Sequence, residues 1–376
     1  MTTRFSQRGM ASGGEKGTLD QKIERANIAY GRHLSISVTQ RCPLRCSHCI
    51  VSCLPSNDIS LDIPDAAVQS ILDSLPKLSE SIKQISFTGG EPFLCKDVMC
   101  RISHDAYKHS ISCGAVTSAH WATSLEKARK TLEEIPHLDH ITISYDKYHS
   151  EYIKLSSVRH AVEAAEALGK TASIRASIPP NAEESHMNFL NALKFEFEDR
   201  VHTQEVLSFG RASDLNIKAN YSNSAPILPC LSSGPHVTES GNVIPCCSTL
   251  DNKIPISHPL NLGDVSKIPL VNVYQQSNHN VLLNFIRLWG FPQIMEVLSK
   301  ELPEKYSGMR FVEEGQCSLC ATLMHDKETV EFLENWTKDI DIHLKTAAGV
   351  ATHFGKTEVL SKVVDERKKE IEEYSG

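Results

Sequence analysis

Between residues 33 and 210, short apolar runs alternate with longer amphipathic segments. A period of about two residues is typical of strands, and a period of about 3.6 is typical of helices. The apolar runs predict strands at residues 34–39, 84–88, 112–117, 140–144, 171–177 and 203–207.

The segments between these runs predict helices at residues 64–75, 98–107, 124–134, 157–168 and 185–195. In the first of them, Ala67, Ile71 and Leu75 share one face, and Gly169 supplies a stop signal after the fourth. Repeated strand–helix units predict parallel strands joined by right-handed crossovers. The expected fold class is α/β, a partial (β/α)6 barrel related to the eightfold barrel.

The regular alternation stops after Gly210, where Pro and Ser become frequent. Beyond that point we predict a hairpin from His236 to Ile244, with its turn at Gly241. An apolar helical insertion is expected at 281–302, and two further helices at 328–345 and 355–374. The predicted organisation is a flexible segment at 1–32, the barrel at 33–215, a cysteine-rich domain at 216–326 and C-terminal helices at 327–376.

Composition narrows the class of protein. The formal net charge is −7, which argues against a nucleic-acid binder that relies on phosphate attraction. The sequence contains no apolar run near 18 residues and no signal-peptide core, so we expect a cytoplasmic protein without a membrane partner. In such a protein, twelve cysteines indicate metal binding rather than disulfides.

Three cysteines follow the first predicted strand: Cys42, Cys46 and Cys49, with the spacing C-x3-C-x2-C. Thiolates packed this closely can converge on one iron–sulfur cluster. Ordinary clusters use four cysteines, so a set of three leaves one iron with an open position. A zinc knuckle with His48 as a ligand is the alternative.

A second motif, Gly89-Gly90-Glu91-Pro92, follows the second predicted strand. The two motifs in this order resemble the radical S-adenosylmethionine (radical SAM) superfamily. The resemblance implies that Cys42, Cys46 and Cys49 bind a 4Fe–4S cluster and that its open iron chelates S-adenosylmethionine (SAM). One departure is His48, which stands where the family often has an aromatic residue.

The resemblance also implies a set of cofactor-binding residues at the ends of the strands. The region from Gly89 to Glu91 is expected to bind the amino group of SAM. Ser144 and Arg175 are candidates for the SAM carboxylate. The full predicted set is Gly89, Gly90, Glu91, Thr117, Ser144, Asp146 and Arg175.

A second group of cysteines follows the barrel: Cys230, Cys246, Cys317 and Cys320. Four thiolates complete a coordination shell for zinc or for a 4Fe–4S cluster. The spacing resembles the SPASM/Twitch extension of radical SAM enzymes, and the shorter Twitch-like form with one auxiliary 4Fe–4S cluster fits best. Cys247 competes with Cys246 as a ligand.

These features predict a radical SAM enzyme that forms a 5′-deoxyadenosyl radical and abstracts a hydrogen from its substrate. The resemblance favours modification of a ribosomally made peptide or protein by crosslinking, thioether formation, epimerisation or oxidation. The alternatives are radical dehydrogenation of a small molecule such as an aminocyclitol, and a non-catalytic iron–sulfur or zinc protein. Flavodoxin or ferredoxin is the expected electron donor.

Overall fold

The computed structural model describes residues 31–217, 221–222, 230, 234–247, 254–312 and 316–375. The predicted N-terminal segment and much of the boundary after the barrel lie outside these residues. Six parallel strands form the centre of the fold, in chain order from first to last. They are β1 (His33–Thr39), β2 (Gln84–Gly89), β3 (Ser112–Thr117), β4 (His140–Ser144), β5 (Thr171–Ile178) and β6 (Val201–Glu205).

Five helices connect these strands, as expected of parallel crossovers. They are α1 (Asp65–Leu78), α2 (Lys96–Lys108), α3 (Leu125–Glu133), α4 (Leu155–Ala167) and α5 (Glu184–Phe197). Ser124 caps α3, because its side chain accepts a hydrogen bond from the Lys127 amide. The predicted α/β fold with a parallel sheet is confirmed.

The first edge of the sheet is extended by a segment from the cysteine-rich region. β8 (His236–Val237) pairs with β1 in parallel, and β9 (Asn242–Ile244) and β10 (Gly263–Asp264) follow in antiparallel order. The predicted hairpin is therefore present, and it belongs to the same sheet as the barrel strands. Because β8 occupies the free edge of β1, the barrel stays open between β1 and β6.

The remaining elements are mostly helical. A short β7 (Tyr221–Ser222) pairs with β11 (Phe311–Val312). The helices are α6 (Leu270–Ser277), α7 (Val281–Trp289), α8 (Pro292–Glu301), α9 (Pro303–Tyr306), α10 (Gln316–His325), α11 (Lys327–Trp336), α12 (Ile340–Phe354) and α13 (Thr357–Ser375). No single helix among the described residues is long and apolar enough to span a membrane, although α7 and α8, bent by 117°, pass that test as a pair.

Three expectations about element boundaries are wrong. β6 begins at Val201 and ends at Glu205, whereas the apolar run had placed it at 203–207. The expected helix at 328–345 is two helices, because Asp339 starts α12 by accepting hydrogen bonds from the Asp341 and Ile342 amides. The insertion at 281–302 is likewise divided, at Gly290.

The two faces of the sheet have opposite character. In β1, Leu34, Ile36 and Val38 are fully buried in the apolar core. Since side chains alternate along a strand, the residues between them lie on the other face, and these are polar. The same alternation gives a polar face made of Ser35, Ser37, Ser86, Thr88, His140, Thr142, Ser144, Ser173, Arg175 and Ser177.

The sheet curves around this polar face. The pKa of His33 on β1 is lowered to about 4, chiefly by burial and also by the charges of His140 on β4 and Arg175 on β5. In a flat sheet, strands four positions apart would be too distant for this interaction. His236 on β8 also contacts the polar face, since its two ring nitrogens lie 2.8 Å from Ser35 Oγ and 3.0 Å from Ser37 Oγ.

These buried imidazoles predict loss of stability in mild acid. The pKa of both His33 and His236 is lowered from 6.5 to about 4, chiefly by burial and also by neighbouring positive charges. Between these values the unfolded chain binds protons that the folded chain does not, so the free energy of unfolding should fall as the pH falls from 6.5 to 4. The slope should be up to about 1.4 kcal/mol per pH unit for each histidine.

Urea unfolding at several pH values measures this effect. His236→Gln should flatten the dependence, and the exposed control His104→Gln should leave it unchanged. An equally steep dependence in His236→Gln would contradict the assignment.

Candidate functional site

The loop after β1 brings the first three cysteines to one cavity. Its backbone is held by hydrogen bonds from the Cys42 amide to the Leu54 carbonyl (3.1 Å) and from the Cys49 amide to the Cys46 carbonyl (3.3 Å). Cys42, Cys46 and Cys49 all line a cavity of about 170 Å³ at the carboxyl ends of the strands. This is the edge at which open α/β sheets bind ligands.

Arg211, after β6, secures this loop from the far side of the cavity. Its guanidinium donates to the carbonyls of Cys46 (3.0 Å) and Cys53 (2.7 Å), and its amide donates to the carbonyl of Cys49 (2.9 Å). Gly210 permits this approach, because a Cβ there would lie 2.4 Å from the Ile50 carbonyl oxygen. No pattern in the sequence predicts this role for Arg211.

The three thiols differ in their titration. Burial raises the pKa of Cys42 and of Cys46 to about 12. The pKa of Cys49 is lowered to about 5, chiefly by a hydrogen bond with the Cys53 thiol. Thiolate ligands at such a site need a cation to offset burial, and a bound metal provides that charge.

Gly89 and Gly90 are required by the packing of two loops against each other. A Cβ at Gly89 would lie 2.3 Å from the Thr39 carbonyl oxygen, and one at Gly90 would lie 2.2 Å from that of Arg41. The Gly90 and Glu91 amides donate to those same carbonyls, at 2.7 and 2.9 Å. Both glycines also line the cavity. The motif therefore fixes the start of the cysteine loop against β2.

Glu91 is a buried acceptor rather than a lining residue. It is 1% exposed, and its carboxylate accepts from Thr117 Oγ1 (2.8 Å), Ser118 Oγ (2.6 Å) and the Ser118 amide (2.9 Å). Burial would raise the pKa of Glu91, but His120 and Ser118 outweigh it and leave the pKa below its usual value. The carboxylate thus joins the ends of β2 and β3, and its predicted binding of an ammonium group stays a prediction.

Asp146 has a similar role between β4, β5 and the cysteine loop. It is fully buried, and its carboxylate accepts from His149 Nδ1 (2.9 Å), the His149 amide (3.0 Å) and the Ser177 amide (3.1 Å). Its second oxygen lies 3.6 Å from Nε2 of His48. Burial would raise its pKa, but the hydrogen bond from His149 and the charges of His149 and His48 lower it overall.

The predicted cofactor residues fall into two groups. Gly89, Gly90, Thr117 and Ser144 line the cavity, together with His48, His149 and Arg211. Glu91, Asp146 and Arg175 do not line it. Arg175 lies beside Ser144 in the register of β4 and β5, and burial lowers its pKa.

The comparison with family models decides the class of this site. The radical SAM superfamily model matches residues 36–175, which include the cysteine loop, the glycine motif and the ends of β1 to β4.

Residues 36–175 are a radical SAM domain.

Two curated relatives of this radical SAM enzyme differ in how much they share with it. The putative peptide biosynthesis protein YydG of Bacillus subtilis (strain 168) is 23% identical over 81% of this chain and 95% of its own length. The GTP 3′,8-cyclase of Corynebacterium glutamicum (strain R) is 32% identical, but over only 41% of this chain and 43% of its own length.

Solved structures also resemble the fold, at lower similarity. The anSMEcpe structure with bound AdoMet has a TM-score of 0.46 at 15% identity, covering 65% of this chain and 80% of that one. The structure of BtrN in complex with AdoMet and 2-DOIA has a TM-score of 0.39 at 16% identity, covering 68% of this chain and 87% of that one. Likenesses at this level carry no information on the substrate of this radical SAM enzyme.

The second cysteine group of this radical SAM enzyme has interacting thiols. Burial raises the pKa of Cys320 well above its usual value, and the charges of Cys246, Cys230 and Cys317 add to that effect. Cys317 and Cys320 are three residues apart on α10, so they share one side of the helix. The Cys230 amide donates to the Ile286 carbonyl at 3.2 Å, which ties this cysteine to α7.

Cys247 has a different environment from its neighbour Cys246. It interacts with Ser35 on β1 and with Arg175 on β5, which both belong to the polar face of the sheet. Its side chain is exposed, yet burial among protein groups raises its pKa. The Cys247 thiol therefore lies beside the polar face of the sheet.

The buried carboxylate of Glu91 gives a stability prediction. Glu91→Gln places an amide nitrogen among the donors of Ser118 and Thr117, leaving at least one donor without an acceptor. We expect a loss of about 2–4 kcal/mol in the free energy of unfolding. Urea denaturation of the metal-free protein measures it.

The matched control is Glu133→Gln, on the surface of α3, where the ion pair with Arg129 is exposed. Its effect should stay within about 0.5 kcal/mol. Equal destabilisation by the two variants would show that the Glu91 hydrogen bonds contribute little.

Proposed function

We propose that this enzyme holds a 4Fe–4S cluster on Cys42, Cys46 and Cys49, binds SAM beside it and modifies a peptide or protein substrate. The observation that carries the proposal is the cavity itself. Three thiols line it, and they share it with the ends of strands β2, β3, β4 and β5. Such an arrangement suits a cluster whose remaining iron faces a second ligand.

The donor set fits this cofactor. Three thiols on one short loop match a cubane cluster with one iron free of protein ligands. Arg211 places a positive charge against the loop that carries the thiolates, which offsets part of their negative charge. His48, which lines the same cavity, has a buried ring nitrogen, Nδ1, without a partner among the described residues.

When bound, the cluster and SAM supply a 5′-deoxyadenosyl radical that abstracts a hydrogen atom from the substrate. The protein supplies position and shelter from water. Arg211 and the Gly90 amide hold the cysteine loop by hydrogen bonds, and the Asp146 carboxylate lies 3.6 Å from His48 in that loop. Ser144 and Thr117 offer hydroxyl groups to the cavity, as the ribose and carboxylate of SAM require.

A peptide substrate is supported by the relative that spans most of this chain. The B. subtilis protein named for peptide biosynthesis aligns over 81% of the chain, which includes residues beyond the radical SAM domain. The polar face of the barrel suits a peptide, because backbone amides and carbonyls need hydrogen-bond partners when they leave water.

We further propose an auxiliary 4Fe–4S cluster on Cys230, Cys246, Cys317 and Cys320. The mutual effect of these four thiols on the pKa of Cys320 supports it. Cys246 comes two residues after β9, which belongs to the same sheet as β1, and this supports an auxiliary cluster beside the barrel that exchanges electrons with the substrate site.

The first test is reductive cleavage of SAM. Anaerobically reconstituted protein should convert SAM to 5′-deoxyadenosine and methionine when reduced with dithionite, and liquid chromatography measures both. Cys42→Ala, Cys46→Ala and Cys49→Ala should each lower the rate at least a hundredfold, because an incomplete cluster cannot present its open iron.

Cys100→Ala is the control, since Cys100 lies on α2 and outside the cavity. A synthetic peptide from the short reading frame nearest to the coding gene tests the substrate class by its change in mass. Cleavage without any change in that peptide would favour a small-molecule substrate, and no cleavage by iron-loaded protein would overturn the proposed enzyme.

Iron content tests the second cluster and its ligands. The reconstituted protein should bind about eight iron atoms per chain, as two 4Fe–4S clusters require. Cys320→Ala and Cys246→Ala should reduce this to about four, and Cys247→Ala should keep about eight because its thiol interacts with Ser35 and Arg175 on the polar face of the sheet.

Zinc with about four iron atoms per chain would contradict the auxiliary cluster. If Cys247→Ala loses four iron atoms and Cys246→Ala does not, then Cys247 is the cluster ligand in place of Cys246.

A further inference from the structure

A fourth cysteine, Cys53, lies in the same cavity as the three predicted cluster ligands. It is only 4% exposed and lines the cavity together with Cys42, Cys46 and Cys49. The loop that ends at Cys53 therefore carries four thiols, and the proposed cluster uses three of them. Since a buried cysteine often serves only as a small apolar side chain, a functional role for Cys53 requires a specific contact.

The backbone on both sides of Cys53 is held in place. Ser52 has a left-handed conformation, with a φ of +57°, which residues other than glycine rarely adopt. The Leu54 carbonyl accepts a hydrogen bond from the Cys42 amide (3.1 Å), and the Cys53 carbonyl accepts one from the Arg211 guanidinium (2.7 Å). These contacts turn the chain back towards the start of the cysteine loop, and they fix where the Cys53 side chain lies.

The specific contact is a hydrogen bond between the thiols of Cys53 and Cys49. The chemistry of iron binding decides which of the two is the donor. A cysteine binds iron as a thiolate, so a Cys49 that holds the cluster has no hydrogen to donate. Cys53 must therefore carry the hydrogen and donate it to the Cys49 sulfur.

A hydrogen bond to a ligand sulfur changes the reduction potential of a cluster in a known direction. Reduction adds one electron, and part of the added negative charge resides on the thiolate sulfurs. A donor beside such a sulfur stabilises the reduced cluster more than the oxidised one, so it raises the potential. The burial of Cys53 strengthens this effect, because little water competes for the bond.

We propose that the S–H group of Cys53 donates a hydrogen bond to the Cys49 sulfur and raises the reduction potential of the first cluster, an inference that rests on the proposed function. Cys53 is a positioning residue that acts through Cys49, and it does not bind iron itself. A cluster with a higher potential is reduced to a greater extent by the same electron donor. Cys53 therefore increases the fraction of the enzyme that is ready to cleave SAM.

A redox titration of the cluster-loaded protein tests this proposal. The protein is poised at a series of potentials with dithionite and redox dyes, and electron paramagnetic resonance (EPR) measures the reduced clusters. The signal that changes when SAM is added to a matched sample belongs to the first cluster. Cys53→Ala and Cys53→Val should each lower its midpoint by about 59 mV, a tenfold change in the one-electron equilibrium and the effect of one hydrogen bond. Cys53→Ser, which retains a donor, should recover at least half of this shift.

The hydrogen itself provides a second measurement. An exchangeable proton held against a ligand sulfur couples to the reduced cluster, and electron–nuclear double resonance in H2O and in D2O detects it. This coupling should be absent from Cys53→Ala and Cys53→Val and present in Cys53→Ser. The control is Cys113→Ala, which removes another buried thiol, on β3 and outside the cavity. It should keep the midpoint and the proton couplings of the wild type.

The outcomes distinguish this inference from the proposed function. Iron-loaded wild type without any EPR signal that responds to SAM would overturn the proposed function. A SAM-responsive signal with the same midpoint in wild type, Cys53→Ala and Cys53→Val would overturn only the role of Cys53. Loss of iron from these two variants would make Cys53 a ligand and would also overturn that role. The same conclusion follows if Cys53→Ser lowers the midpoint as much as Cys53→Ala does.

Discussion

The contact between the backbones that follow β1 and β2 is the constraint on which the site depends. Gly89 and Gly90 approach the carbonyls of Thr39 and Arg41 so closely that no other residue type fits without a shift of the backbone. This contact sets where the cysteine loop leaves the sheet. Arg211 then holds the same loop by hydrogen bonds from beyond β6, and the Asp146 carboxylate lies 3.6 Å from His48 in that loop, so several strand ends contact it.

A second property follows from the alternation of side chains along the strands. Strands of parallel sheets are usually apolar on both faces. Here one face is apolar and packs under the helices, whereas the other carries serine, threonine, histidine and arginine. The polar face costs stability, because it replaces apolar packing. In return, it provides a concave surface on which a polar substrate can find hydrogen-bond partners.

Most of the strands and helices could be predicted from the sequence, and there are physical reasons for the ones that were predicted wrongly. Strands β1 to β5 and their helices follow from local periodicity, which is strong because one face of each element is fully apolar. β6 lies two residues earlier than expected, because the apolar residues Val206 and Leu207 follow the part of the chain that pairs with β5. The break before α12 depends on a single capping side chain, Asp339, which a periodicity search does not detect.

The candidate site also has a part that the sequence predicts and a part that it does not. Which cysteines and glycines meet at the cavity could be predicted, because the carboxyl ends of parallel strands lie at one edge of the sheet. The hydrogen-bond partners of Glu91, Asp146 and Arg211 could not be predicted. Those of Glu91 and Arg211 lie 26 or more, and up to 165, residues away in the chain, and the bond between Asp146 and His149 depends on side-chain orientation. Long-range hydrogen bonds of this kind leave no local pattern in the sequence.

The pairing of β8 with β1 has a consequence for the way this protein can change during evolution. A region that packs beside a barrel through side chains alone can be lost or exchanged as a module. Here the second cysteine region supplies an edge strand, and its removal would expose the unpaired backbone of β1, directly before the first cysteine loop. Loss of the second cysteine region would therefore also remove the strand that covers the edge of β1, next to the loop that carries the first cysteines.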